Sequence, residues 1–475
     1  MSVSELRTPG RATPFYRDVR IVGVLIQVAF VIAVLIAGLF LVNNMVAGLR
    51  ASNIPLGWNF LRQEAGFAIS EGPAFNPAQS YARAFVVGIA NTIRVAISGI
   101  ILATVVGVFM GIARLSNNWL VRTLAATYVE VVRNTPLLVQ LFFWYFAVIL
   151  KLPNLQASAT IPGIALLSNR GIALTWPRLS ATGQVWLYWL LAAAVIAASA
   201  GLIVARRRTR ERYGGSGLAL ALLIFCVTAV LGYGATAATV TLPANTAYTL
   251  QRGDRGVLFV DQDGDGNFSH DVDQPLRFVP VTLLSATGAE LGAMLTDAEG
   301  GFRFFGLAEE GATLTWKTPA PIVFDRAILQ GFNYRGGQQL SPEFAALLVG
   351  LTIYTGAFIA EVVRAGINAV PKGQWEASRA VGLSVGQTLR LVVLPQALRV
   401  IIPPLTSQYL NLTKNSSLAI AVGYPDLFNV SRTIFNQSGA TVQMFVLIMA
   451  TYLSLSLLTS AFMNWYNRRV ALVER

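Results

Sequence analysis

An apolar run from Ile21 to Val42, interrupted only by Gln27, constrains this chain more than any other feature, because a helix of about 20 apolar residues crosses the hydrocarbon core of a bilayer. Seven further stretches meet or approach that length, near 85–112, 123–150, 185–205, 216–238, 343–360, 400–424 and 441–465. The sequence therefore predicts an all-α membrane protein with about eight transmembrane helices. Composition agrees: 54% of the 475 residues are hydrophobic, only 12% are charged, and the mean hydropathy is +0.57. The first run follows Arg7, Arg11, Arg17 and Arg20, as a signal peptide would, but it is long enough to be a retained span.

The formal charge of +13 does not point to nucleic acid, because most Arg and Lys flank apolar runs and are not gathered on one soluble domain. Short basic loops stay in the cytoplasm. The 1–20 arm, the turn from Arg114 to Arg122, the cluster Arg206, Arg207, Arg208, Arg210 and Arg212, the segment 361–399, and the tail with Arg468 and Arg469 all fall on one side if eight spans are threaded from a cytoplasmic N-terminus. Both termini are then cytoplasmic. The opposite side receives 43–84, 151–184 and a long segment from 239 to 340 in which acidic residues outnumber basic ones. Within it, Gly256–Val260, Val279–Leu284 and Gly301–Phe305 are short alternating runs between Gly- and Asp-rich turns, which predicts an extracytoplasmic β-sandwich over 245–320.

Segment 361–399 carries Glu376, Ala377 and Ser378, then Gly382, then Val392, Leu394 and Pro395. This spacing resembles the EAA loop of binding-protein-dependent ABC importer permeases, with Ser378 for the second Ala and Val392 for Ile. In that family the loop is a short cytoplasmic helix that docks on an ATPase. Small side chains at 377 and 378 suit close approach, Gly382 suits a turn, and Pro395 suits a stiff return into the next span. A generic amphipathic loop is the bland alternative.

Two further tracts, Glu130–Gln140 and Ser407–Leu418, resemble the polar amino-acid permease subclass, and the tracts around the second resemble the first permease subunit of general L-amino-acid uptake systems. Glu130 and Arg133 lie three apart on one helix face and are expected to neutralise each other, and Pro136 to break or kink its helix. Lipid cannot satisfy the polar groups of 408–417, so Gln408, Asn411, Lys414, Asn415 and Ser416 are candidates to line the translocation path, Lys414 meeting a substrate carboxylate. Hydrogen-bonded glue between helices is the equal alternative.

The resemblance implies a five-helix permease core in two parts, 85–150 and 343–465. An additional span at 21–42 precedes it, and a helix pair at 185–238 plus the β insert interrupt it. It also implies a second homologous permease, two cytoplasmic ATPases and an extracytoplasmic amino-acid-binding protein as partners in the bacterial inner membrane. No G-x-x-x-x-G-K-[ST] sequence occurs, so this chain is expected to bind no ATP by a P-loop of its own and to be a transporter subunit, not an enzyme. An ion-coupled secondary transporter leaves the Glu376-to-Pro395 tract unexplained. A membrane-anchored adhesion protein would not need eight spans.

In the β segment, Asp261, Asp263, Asp265 and Asn267 alternate along a loop with Gly266 at its sixth position, as calcium loops do. Position twelve is Val272, so Asp273 or Asp271 must close such a site. The surrounding strand pattern is similar to calcium-binding B-type repeats of Gram-positive surface adhesins. A solvated Asp/Gly turn is the alternative, and His270 beside it is expected to be exposed.

Overall fold

The computed structural model describes residues 19–51, 57–208, 216–250, 255–304, 312–330 and 333–470. The expected arm 1–20 falls almost wholly outside these, as do Arg210 and Arg212. The helices in chain order are α1 (Val19–Ala51), α2 (Tyr81–Ala113), α3 (Trp119–Asn134), α4 (Leu137–Phe142), α5 (Gly183–Arg208), α6 (Ser216–Thr239), α7 (Pro342–Asn368), α8 (Lys372–Ala380), α9 (Val385–Thr388), α10 (Leu394–Asn415), α11 (Leu427–Ser438) and α12 (Thr441–Val470). Among the described residues seven helices are long and apolar enough to span a membrane, or eight if the broken pair around Pro136 is one span. The break follows from Pro136, which has φ −56° and ψ 137° and cannot continue α3.

The chain divides into two compact units, Met1–Asn134 with Leu351–Arg475, and Thr135–Gly350. In the first, α2 packs on α11 through Tyr81, Ala84 and Phe85 against Leu427, Val430 and Ile434. A second core joins Ala96 and Ala103 of α2 with Ile359 and Val363 of α7 and with Ala397, Ile401 and Leu412 of α10. Lipid gives helices no hydrophobic reason to associate, so close backbone approach must supply contact. Gly107 and Gly111 do this on α2: a Cβ at Gly107 would lie 2.5 Å from Ile359, and one at Gly111 would lie 2.7 Å from the Ala360 carbonyl.

Two expected boundaries are corrected in this unit. Helix α7 continues to Asn368, and the next span begins at Val385, so the expected loop 361–399 shrinks to the segment carrying α8. Pro395 does not lie in a return loop. It sits inside a continuous helix directly after the π-helical turn Leu389–Val393, whose wider winding relieves the clash a proline ring makes with the carbonyl four residues back.

In the second unit, α5 and α6 form a hairpin: the Trp186 indole donates to the Ala229 carbonyl at 3.0 Å and meets Tyr233 edge-on. All strand pairs are antiparallel. Arg255–Val260 lies between Thr246–Leu250 and Gly301–Arg303, and Pro280–Leu284 lies between Glu290–Leu295 and Thr313–Trp316. These two sheets share one core of Leu258, Val279, Val281, Phe302 and Leu314.

The β structure also reaches well beyond 245–320. Ala159–Ile161, Ala165–Ser168 and Gly171–Leu174 form a meander completed by Gln338–Leu340, with Gln338 opposite Leu174. Trp176–Leu179 pairs with Ile322–Asp325. The helix hairpin is thus bracketed by strands that pair across it. Strands this short show no alternation long enough to read in sequence.

Candidate functional site

The coupling segment is built by explicit stop and start signals. Gly382 follows α8 with φ +80°, and its N–H donates to the Arg379 carbonyl at 2.9 Å while the Leu383 N–H donates to the Ser378 carbonyl at 3.1 Å. This pair of bonds is the Schellman stop, which favours glycine at the left-handed position. Two residues later Ser384 caps α9 in a reciprocal box with Gln387. Glu376 and Ala377 are exposed, but Ser378 is buried, its hydroxyl donating to the Trp375 carbonyl at 2.8 Å. Of the two small residues only Ala377 lies on the outward face, because successive helical residues turn by about 100°. Val381 in the turn after α8, and Val385, Leu391 and Leu394 at the start of the next span, are exposed apolar residues.

The five path candidates do not form one cluster. Asn411 and Lys414 share an exposed face of α10 with Ser407, while Gln408 and Asn415 flank it half-buried. Ser416 points into the core, its hydroxyl donating to the Thr413 carbonyl at 2.8 Å. Ser407, Asn411 and Lys414 recur at helical spacing, giving a polar stripe along a span.

The expected Glu130–Arg133 pair is not formed among the described residues. Arg133 instead lies over the Phe358 ring at 5.1 Å, and Glu361 on α7 takes both Arg114 and Arg364. The i,i+3 rule applied to 130 and 133 holds for 361 and 364, which lay in a stretch read as a loop. Sequence reasoning also passed over Asn91, Arg94 and Asp426. Asn91, fully buried, donates to the carbonyls of Glu71 and Pro425, and Arg94 pairs with Glu71 at 2.7 Å. Asp426 caps α11 by accepting from the Asn429 N–H at 2.9 Å, and burial pushes its carboxyl up to about 7. Two polar residues three apart within the apolar run at 85–112 were the available signal for Asn91 and Arg94.

In the second unit Asp261, Asp263 and Asp265 bring their carboxylates within 4.8 Å of one another. Asp261 accepts from the N–H groups of Gly264 and Gly266, which curls the loop around it. Asn267 closes the curl through its N–H on Asp265. Asp273 is buried, with one oxygen accepting from Gln262 N–H at 3.0 Å and the other from Ser269 N–H at 2.8 Å, so it ties the two ends of the loop together. His270 is exposed and edge-on to Phe268.

The family described as binding-protein-dependent transport system inner membrane components matches residues 339–472, which contain both α8 and the polar stripe. The chain is 38% identical over 453 residues to a putative amino-acid ABC transporter permease of Escherichia coli (strain K12), covering 95% of this chain and 94% of that protein. The chain belongs to the amino-acid ABC transporter permeases. It is likewise 38% identical over 465 residues to the general L-amino acid transport system permease of Rhizobium johnstonii, covering 97% of this chain and 94% of the relative. Among solved structures it is similar to a crystallised amino acid ABC transporter with histidines, at 16% identity and a TM-score of 0.39, covering 82% of this chain and 95% of that one. As a permease subunit of this family, it is a transporter component with about seven to eight membrane helices.

Proposed function

We propose that this permease forms part of the translocation path of a broad-specificity L-amino-acid importer and is driven through α8 by a separate cytoplasmic ATPase. The polar stripe Ser407, Asn411 and Lys414 carries the reading: it is exposed along a helix long and apolar enough to span, where lipid cannot satisfy it. It must face water, substrate or a second permease. Lys414 offers a charge for a carboxylate, and Asn411 offers both a donor and an acceptor to a zwitterion, with Gln408 and Asn415 at the margins. Broad specificity rests on the likeness to the general L-amino acid permease.

Exposed Glu376 and Ala377, with the apolar Val381 and Val385 beside the Gly382 turn, give α8 a surface suited to a cleft on an ATPase. A homologous permease, two ATPases and an amino-acid-binding protein would complete the inner-membrane complex. We place the termini and α8 in the cytoplasm and the β body outside, because one alternation of spans accounts for every basic loop. The two sheets over one core support reading the β body as an extracytoplasmic sandwich of the adhesin-repeat kind. Asp261, Asp263 and Asp265 would hold a calcium ion there, with Asn267 and Asp273 completing the oxygen set, and the ion would supply charge neutralisation and loop rigidity.

The test is ATP-dependent uptake of a labelled amino-acid panel by the reconstituted complex. Asn411→Leu should lower uptake about tenfold, the worth of one hydrogen bond to a charged group, with subunit assembly preserved. Full uptake by this variant, or lost assembly with no transport defect in the assembled fraction, would reject the path assignment in favour of helix-to-helix glue.

A further inference from the structure

Arg114 stands at the end of α2, Arg122, Thr123, Thr127 and Glu130 run along one face of α3, and Arg364 reaches in from α7. Together they line a cleft of about 420 Å³, with the small Ala126 at its wall. Three guanidinium groups meet two carboxylates here, Glu130 and Glu361, and Glu361 is already bracketed by Arg114 and Arg364. Positive charge is left over. Each guanidinium has five N–H donors, and Arg122 spends one on the Ser116 carbonyl at 3.3 Å.

The threonines add a second sign. In other spans Thr104, Thr406, Thr413, Thr451 and Thr459 turn their hydroxyls back onto the carbonyl four residues earlier. Thr123 and Thr127 make no such bond among the described residues, and both are exposed to the cleft. Beside it at the start of α3, Trp119, Leu120 and Leu124 are 68%, 55% and 61% exposed. A tryptophan with exposed leucines at the end of a span marks the headgroup level of a bilayer. A cationic, hydroxyl-bearing cleft at that level fits a phosphate with its ester chains running into the adjacent apolar layer.

We infer that the Arg114–Arg122–Arg364 cleft binds a phosphate group, supplied by the headgroup of an anionic phospholipid. Its assignment to the cytoplasmic leaflet rests on the orientation proposed above, whereas the binding does not. Because Arg364 lies in the last turns of α7, which leads directly into α8, the headgroup would steady the base of the coupling segment.

The experiment is native mass spectrometry of the purified permease complex titrated with phosphatidylglycerol, phosphatidylcholine or inorganic phosphate. Phosphatidylglycerol should be retained over phosphatidylcholine. Arg122→Gln should weaken retention about fivefold and Glu130→Gln strengthen it about fivefold, the worth of one charge near an anionic surface. Neither substitution touches the Glu361 bracket, so both variants should melt with the parent complex. Displacement of phosphatidylglycerol by inorganic phosphate at equal concentration would keep the phosphate chemistry but overturn the lipid as its source. Equal retention of both lipids, or retention unmoved by both substitutions, would overturn the site. Transport need not be measured, so failure here is distinct from failure of the path or coupling assignments.

Discussion

Replacing Gly382 by Ala isolates a backbone effect at the proposed coupling turn. A Cβ at this position meets nothing within 4 Å, so the substitution carries no steric term. Its cost is the left-handed backbone, φ +80°, which disfavours an L side chain by about 1 to 2 kcal/mol. That strain falls on the two bonds that stop α8, from Gly382 to Arg379 and from Leu383 to Ser378. A helix of nine residues is too short to hold its own form without its ends fixed. The opening of the turn should therefore become about 5 to 30 times more favourable, leaving α8 free to pivot without moving α10. Gly382→Asn should recover much of the loss, because Asn tolerates the left-handed region. Gly439→Ala is the control: it also has positive φ and open space around a Cβ, but it ends α11 instead of α8. The assay is amino-acid uptake per ATP hydrolysed in proteoliposomes. Gly382→Ala should lower that ratio about 5- to 30-fold with hydrolysis maintained, while Gly439→Ala lowers thermal stability and leaves the ratio unchanged. An unchanged ratio in Gly382→Ala, or Asn as damaging as Ala, would refute the reasoning.

Glu376→Ala should be milder than Gly382→Asp in the same assay, since an exposed side chain is lost in one and the turn in the other; the reverse order would make Glu376 the coupling determinant. Asp426 predicts a pH dependence. Its carboxyl is raised from 3.8 to about 7 by burial, so its contribution is fully present below pH 3.8 and is lost as pH rises through 7, about 4 kcal/mol over the whole range. Asp426→Asn keeps the helix cap and should flatten the fall in Tm between pH 5 and 8; a wild-type Tm that climbs over that interval, with other groups unchanged in the variant, would contradict this. Calcium at about 100 times its Kd should stabilise the β body by about 2.7 kcal/mol, read as slower proteolysis at the 261–273 loop. Asp265→Ala should abolish the protection, and identical cleavage with calcium or chelator in the parent protein would exclude the site.

What sequence alone determined was whatever is written locally along the chain. Span lengths follow from apolar runs, so Ile21–Val42, 85–112 and 441–465 all fall within helices. The break at Pro136 and the turn at Gly382 follow from backbone sterics of single residues. The alternating oxygens of Asp261, Asp263 and Asp265 fold onto one point because a five-residue curl suffices to bring them together. What only tertiary structure decided depends on residues far apart in the chain. Gln338 pairs with Leu174 across an intervening helix hairpin, and no local pattern selects that partner. Glu361 rather than Glu130 receives the arginines because Arg114 arrives from another helix, adding a second charge that i,i+3 spacing by itself does not reveal. Ser416 turns inward while Asn411 and Lys414 face out, although all three are polar and close in sequence. The periodicity of α10 sets which residues share a face, but the packing of Leu412 against Gly99 of α2 chooses the face that is buried.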